Sequence, residues 1–391
     1  ISCLGGISFT AMAEDAVATT ATAITCQADL EAMGPSGNYI LANNIVLNSN
    51  YDSFAGESFS GNFDGNGKTI YFNNTANGLF ETVAAGAMVS DVVTMGNIGS
   101  ANSRKLYTAS IAGTNSGTVK GCVNYATIYA QSHSGGIVGN ATKTSVITRC
   151  YNHGSVDNKS WLVGGIAGIS AGSISYCGNT GSVKVSGGNS HAGGIVGQYN
   201  SDSKLEYCYN TGDIESRDIT GGIVGSIVSS PRIISNCFNT GTVKNRFAVT
   251  SKNNGVGGIV GVFTSKVSDA DKKHFIENCY NTGIVYEDVT DVTNLYPIYM
   301  NYNPESVAAP SVLNCYYLGT AIEGVTGGIA KTASELSSED MLTVLNTEEK
   351  TVFNEKFDNI ETIKENIIVY KYKDKYCAYD IKNSKKLSKT Y

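Results

Sequence analysis

Seven cysteines, Cys122, Cys150, Cys177, Cys208, Cys237, Cys279 and Cys315, recur at a spacing of roughly thirty residues, a length expected of solenoid repeats. Their surroundings recur with them. Three positions before each stands an aliphatic residue: Val119, Ile147, Ile174, Leu205, Ile234, Ile276 and Val312. Six positions after the first six stand Ile128, Val156, Val183, Ile214, Val243 and Val285. Two positions after the same six stand Asn124, Asn152, Asn179, Asn210, Asn239 and Asn281, and Gly154, Gly181, Gly212, Gly241 and Gly283 follow two further on. A second column upstream reads Gly-Gly-Ile-Val/Ala-Gly at 135–139, 164–168, 193–197, 221–225 and 257–261, with a degenerate copy at 109–113 and an earlier one in "GLFETV" at 78–83.

A unit this small cannot bury its own apolar side, but identical units stacked on one another can. Inside each unit two or three short runs alternate inward and outward residues with period 2, separated by Gly or Asn-Thr-Gly turns, and no helical periodicity interrupts them. The predicted fold is all-β: a single-stranded parallel β-solenoid, a right-handed β-helix, with rungs about 4.8 Å apart. Composition agrees. Charged residues are 16% of the chain, against roughly 25% in ordinary domains, and there are 44 Gly but five Pro.

Stacking assigns roles to the columns. The cysteines become a buried file of small soft side chains, since free Cys behaves as a small hydrophobe. The asparagines become a ladder of side-chain amides bonded rung to rung. Glycine supplies a positive-φ corner. Cysteines stacked in this way come within disulfide range, so free thiols and some disulfides both remain open, with free thiols preferred because seven is odd. The paired C-x₂-C spacing that zinc wants is missing, so no metal and no cofactor is expected. Asp157, Lys184, Glu215 and Lys244, each seven residues after a cysteine, become an outward ladder of alternating sign.

The ends differ from the array. Residues 1–13, ending in Ala11-Met12-Ala13, read as the remnant of a signal peptide, with Cys3 as a lipobox cysteine the alternative. Residues 14–27 read as a linker and 28–320 as the β-helix, with "ADLEAM" a helical turn, "GNYILANNIVL" a strand pair and "FSGNFDGNGKTIYF" a hairpin-like turn. Asp64-Gly65-Asn66-Gly67 in that turn lacks the further acidic positions of calcium loops and reads as an Asx turn. Residues 321–349 read as a helical cap, opened by a capping box at Thr332 and Glu335 and running to about Asn346. Residues 350–391 read as a basic tail or the start of a next module, holding a β-hairpin; from Tyr370 onward there are seven Lys against two Asp.

The ordered combination of "GGIVG", "I-x-N-C-Y-N-T-G-x-V", the upstream "FSGNFDGNGKTI…GLFETVAAGAMVSDV" and the downstream "GGIAKTASELSSEDMLTVLN" resembles the GLUG-motif repeat family of bacterial secreted and surface proteins. The resemblance covers roughly 28–346 and implies an extracellular or cell-surface location. Some immunoglobulin-A-cleaving metalloproteases carry such repeats as an N-terminal scaffold. This chain departs from those enzymes because none of His133, His153, His191 and His274 belongs to a His-Glu-x-x-His motif.

Function is less constrained. A net charge of −6 gives no electrostatic footprint for nucleic acid, and no apolar run is long enough to span a bilayer. The expectation is a monomeric, non-enzymatic module for adhesion or for binding a host or cell-wall glycan or a surface protein. Its candidate binding residues are an exposed aromatic file one position after the cysteines: Tyr151, Tyr209, Phe238, Tyr280 and Tyr316. The alternatives are a scaffold region of a larger surface protease or adhesin, and a polysaccharide lyase or glycoside hydrolase using Asp213, Glu215 and Asp218. The outward positions of the Gly-Gly-Ile-Val-Gly strands offer catalysis nothing but Gly and Val.

Overall fold

The computed structural model describes residues 21–54, 58–100, 105–200, 204–228, 233–246, 254–263, 275–287, 296–300, 310–319 and 327–336, and four strands between 360 and 386. The chain winds into a parallel β-helix. Residues with the same place in successive repeats pair strand to strand: Val119, Ile147, Ile174, Leu205, Ile234, Ile276 and Val312 form one continuous register. That sheet has eleven strands and starts at Thr22–Ile24, which pairs with Tyr39–Leu41. The solenoid therefore begins inside the segment expected to be a linker, and helix α1 (Gln27–Glu31) tucks the fully buried Leu30 into its first turn.

Each rung carries more strands than the sequence suggested. The rung from Gly178 has five: Gly178–Asn179, Val183–Val185, His191–Gly193, Val196–Tyr199 and Lys204–Glu206. They belong to successive faces, here termed B1, B2, D, C and A. Asn62–Asp64 lies in face A and Thr69–Thr75 pairs with strands of B1 and B2, so the expected hairpin there is instead a corner between parallel faces. Likewise Asn38–Leu41 and Ile45–Leu47 pair with other rungs rather than with each other. The Asx turn is present: Asn66 N–H donates to Asp64 Oδ1 at 2.7 Å.

The Gly-Gly-Ile-Val-Gly column is a corner and not a strand with an outer face. Gly135 ends the D strand His133–Gly135, and Val138 opens the C strand Val138–Ala141. Face D then lies against face C. A Cβ on Gly197 would fall 2.4 Å from Val163 N, and one on Gly168 2.9 Å from Ser134 N. Glycine is required because two backbones meet there without side chains between them. The supposed outward positions of this motif are consequently buried.

The corner before each cysteine is made by one residue in the left-handed region: Gly121 (φ 66°), Arg149 (55°), Tyr176 (55°), Tyr207 (59°), Asn236 (53°), Asn278 (51°) and Asn314 (49°). The glycines four places after the cysteines do not have positive φ, which corrects the sequence expectation. They are there for close approach. A Cβ on Gly181 would lie 1.9 Å from Gly154 O, and one on Gly212 2.0 Å from Gly181 O.

All seven column cysteines are buried free thiols. Each of Cys150, Cys208 and Cys237 is in hydrogen-bond contact with the thiols of the rungs before and after it. Their Sγ atoms also reach backbone carbonyls, as Cys150 does Val119 O at 3.5 Å. Beside them runs the buried asparagine ladder. Thr94 Oγ1 donates to Asn124 Oδ1 at 2.8 Å, Asn124 Nδ2 to Asn152 Oδ1, Asn152 to Asn179, Asn179 to Asn210 and Asn210 to Asn239, each at 2.7 Å, and Asn239 to Asn281 at 2.8 Å. Every amide points the same way, so the dipoles add along the stack. Each Nδ2 also donates to the carbonyl two residues on, for example Asn210 to Gly212 O at 2.8 Å. The ladder ends where Tyr317 takes the place opposite Asn281.

Replacing Asn210 by Ala strips a partner from Asn179 Nδ2, Asn239 Oδ1 and the Gly212 carbonyl at once. Buried polar groups left short cost about 1–3 kcal/mol each, so the expected loss is roughly 3 kcal/mol, read as a lowered urea midpoint. A loss below about 1 kcal/mol would mean that the ladder is not structural.

At the C-terminal end Thr332 and Glu335 form the expected capping box. Glu335 N–H donates to Thr332 Oγ1 at 3.3 Å and Thr332 N–H to Glu335 Oε2 at 2.8 Å. Helix α2 is described over Ala333–Leu336; its expected continuation to Asn346 lies outside the described residues, as do residues 1–20. The tail holds a four-stranded antiparallel sheet in which Ile367–Tyr372 and Lys375–Asp380 form the expected hairpin. No helix among the described residues is long and apolar enough to cross a membrane.

Candidate binding surfaces

The aromatic file predicted to be exposed is largely self-covered. Tyr209 and Phe238 stack at 5.3 Å and 16°, and Phe238 and Tyr280 at 5.1 Å and 3°. Phe238 and Tyr316 are buried, Tyr209 and Tyr280 half-buried, and Leu336 of α2 packs on the cluster. Burial pushes the Tyr280 phenol pKa upward. Tyr151 is separated from the others by Gly178, whose missing Cβ would fall 2.1 Å from the Tyr209 ring. These rings have spent most of their faces on one another, so the file is a weak platform. The reason is geometric: parallel in-register rungs put like rings about 4.8 Å apart, close to stacking distance.

A second outward file, unmarked by the repeat, lies one position before the cysteines. The Arg149 guanidinium sits 5.6 Å over the Tyr176 ring, Tyr176 stacks on Tyr207 at 4.9 Å and 16°, and Asn278 Nδ2 donates to Asn236 Oδ1 at 3.3 Å. These are also mutual contacts.

A third file stays open. It stands three positions after the cysteines and extends beyond them toward the N-terminus. Val46 pairs with Tyr71 and Tyr71 with Met95. Tyr125 N–H donates to Thr94 O at 2.7 Å, which places Tyr125 over Met95, and the Tyr125 ring stacks on His153 at 4.8 Å and 22°. His153 Nδ1 meets Thr180 Oγ1 at 2.7 Å. Val46, Tyr71, Met95 and Tyr125 are 59, 45, 42 and 49% exposed. Four rung steps of about 4.8 Å make the stripe roughly 19 Å long. Contiguous exposed apolar surface on a rigid sheet is uncommon without a partner to cover it.

The residues that hydrolysis would need are occupied separately. Asp213 Oδ1 accepts from Thr242 N–H at 3.0 Å, Glu215 pairs with Arg246 at 3.1 Å, and Asp218 Oδ2 accepts from Ser190 N–H at 2.9 Å. The register does place Asp157, Lys184, Glu215 and Lys244 one above another. His191 Nδ1 and Ser226 Oγ meet at 2.6 Å, a pairing that resembles a nucleophile and its base. However, Ser226 is fully buried, and burial lowers the His191 pKa to about 4 against a small opposing effect of Asp218. The pair is a satisfied interior hydrogen bond. Among the described residues no group of His, Cys, Asp and Glu is arranged to hold a metal ion.

The fold and its stacked columns define a parallel β-helix built from short repeats. The family model described as "The GLUG motif" matches residues 188–215, the rung that runs from face D of one turn through Cys208, Asn210 and Gly212, so this stretch of the chain is similar to that motif. No curated protein matches it. One similar solved structure, from Bacteroides ovatus, is described as a "putative immunoglobulin A1 protease". It is 17% identical, with a TM-score of 0.48 over 84% of this chain and 89% of that one.

Proposed function

We propose that this chain is a non-enzymatic β-helix module of a secreted or cell-surface protein, and that it binds extended, uncharged glycan along the Val46–Tyr71–Met95–Tyr125–His153 stripe. The observation that carries the reading is the stripe itself: five consecutive rungs present apolar or aromatic side chains to solvent, where the neighbouring files cover themselves. Flat rings at regular rung spacing suit the apolar faces of successive sugar rings. The match to the GLUG motif at residues 188–215 supports the extracellular part of this reading.

The test is retention of the chain on a glycan array and on mucin. Tyr71→Ala and Tyr125→Ala each remove one exposed ring worth about 1.4 kcal/mol, so each is expected to weaken retention roughly tenfold. Tyr209→Ala and Tyr280→Ala are expected to lower stability while leaving retention intact. The reverse pattern would transfer the site to the self-stacked file and end the stripe proposal, and hydrolysis of any arrayed glycan would replace it with an enzymatic one.

A further inference from the structure

The open stripe is not uniform along its length. Tyr71 and Tyr125 stand two rungs apart, about 9.6 Å, with Met95 on the rung between them. Val46 precedes Tyr71 and belongs to Ile45–Leu47, the first strand of that face in chain order. His153 follows Tyr125, stacks on one face of its ring and holds the ring in place. Beyond His153 the same file continues as Thr180, Thr211, Thr240 and Thr282, each following a ladder asparagine in register. The apolar section is therefore bounded at five rungs, Val46, Tyr71, Met95, Tyr125 and His153, and its two phenols occupy the second and the fourth.

A polar rail runs beside the stripe, two positions further along each strand. Asn97 pairs with Thr127, Asn97 Nδ2 donates to Asn74 Oδ1 at 3.3 Å, and Ser155 Oγ donates to Thr127 Oγ1 at 3.4 Å. Asn97, Thr127 and Ser155 are half-buried, and an amide or hydroxyl has more donors and lone pairs than these contacts use. The opposite flank is Thr69, Val93, Val123 and Tyr151, again in register. The strands that carry the stripe and both flanks hold one charged residue, Asp157, two positions beyond Ser155. Lys68 directly precedes Thr69, and Arg149 at its corner is drawn over Tyr176.

We infer that the stripe takes a straight, two-fold ribbon of uncharged pyranose rings joined through equatorial β-1,4 bonds, an assignment that rests on the glycan reading of the stripe and narrows it. The ribbon lies along the solenoid axis with one sugar to each rung. In such a chain every sugar is turned over relative to the last, so the same edge returns at every second sugar, at a repeat comparable to two rungs. Two phenols two rungs apart then make the same contact twice, with Met95 under the inverted sugar between them. A ligand that lacks this translation reaches one phenol and misses the other. An extended peptide repeats every two residues at about 6.6 Å, short of the phenol spacing. A sugar chain with axial 1,4 bonds coils away from a straight file. A polyproline helix repeats at about 9.3 Å and comes close, but its backbone offers the rail carbonyl acceptors alone. A sugar ribbon carries hydroxyls, both donor and acceptor, along its edges at every rung.

Calorimetric titration of the full chain with cello- and chito-oligosaccharides of increasing length tests the ribbon and separates its two sources. Affinity for at least one series is expected to rise at least tenfold from disaccharide to pentasaccharide and then to level, because the file turns to threonine at Thr180. Malto-oligosaccharides of equal length, with α-1,4 bonds, should bind at least tenfold more weakly. The spacing is tested by moving a ring: Tyr125→Ala combined with Met95→Tyr keeps two phenols but sets them on adjacent rungs. That double variant should stay as weak for the pentasaccharide as Tyr125→Ala alone. Restored affinity in the double variant, equal affinity for α- and β-linked chains, or affinity indifferent to length would overturn the ribbon and leave the stripe as a glycan site. Array retention indifferent to both Tyr71→Ala and Tyr125→Ala would remove the stripe and the ribbon with it. Binding of a proline-rich peptide that Tyr71→Ala weakens, with every sugar inert, would overturn both in favour of a protein partner.

Discussion

Replacing Gly194 by alanine is expected to cost more than about 4 kcal/mol, beyond the range of most single substitutions. The added Cβ would sit 2.1 Å from Gly222 O in the next rung and 2.4 Å from Asn210 Cγ in the ladder. Neither neighbour is the free end of a side chain. Gly194 N–H donates to Gly221 O of that rung at 3.2 Å, and Asn210 is pinned by Asn179, Asn239 and Gly212. The strand can yield only by separating two rungs, which breaks faces B1, D and C together. Because each rung of a solenoid contacts only its neighbours, a broken interface divides the stack into two weaker arrays. Urea unfolding of Gly194→Ala is therefore expected to show a lower midpoint and a shallower slope. Gly86→Ala is the comparison. Gly86 has φ 83° with nothing within 4 Å of its Cβ position, so only conformational strain is introduced, at about 1–2 kcal/mol. Equal losses at the two positions would show that backbone contact between rungs does not limit stability.

The difference between those two glycines also marks what the sequence made legible. Columns kept by one chemical type could be aligned: Cys208 over Cys177 and Asn210 over Asn179 follow from identity alone. Features held by changing residues could not. The left-handed corner is filled in turn by Gly121, Arg149, Tyr176, Tyr207 and Asn236, so no letter recurs to betray it. Face D reads "HSG", "LVG", "HAG" and "ITG" directly before the glycine-rich motif, and two strands folded back on each other looked like one. Strands of two or three residues are too short for period 2 to count them. The open stripe was missed because Val46, Tyr71 and Met95 stand on rungs without a cysteine, outside the register used for alignment. The file that was chosen, from Tyr151 to Tyr316, recurs in sequence because its rings pack on one another, and that packing takes up the faces a ligand would use.

Raising the pH from 8.5 to 9.5 is expected to remove about 3 kcal/mol of stability. Burial, reinforced by hydrogen bonds with neighbouring thiols, raises the pKa of Cys150 and Cys237 well above the ordinary thiol value; at Cys208 burial dominates in the same direction. A thiol whose folded pKa lies above its unfolded value contributes its full stability below the unfolded value and loses it as pH rises toward the folded one. With an unfolded pKa of about 8.5, each such thiol withdraws about 1 kcal/mol over that interval, approaching about 1.4 kcal/mol per pH unit above it, and three act together. Urea midpoints under reducing conditions at pH 7.5, 8.5 and 9.5 should fall slightly over the first interval and about three times as far over the second. Cys208→Val keeps a small apolar group in the file and removes one titrating site, so its slope should be shallower by about one third. Iodoacetamide with peptide mapping supplies the independent check. At pH 7.5 the exposed Cys26 should alkylate in the native chain, and the seven column cysteines only after denaturation. A level midpoint through pH 9.5, or native alkylation along the column, would mean that the thiols do not line the interior, and the register of every outward file would lose its anchor.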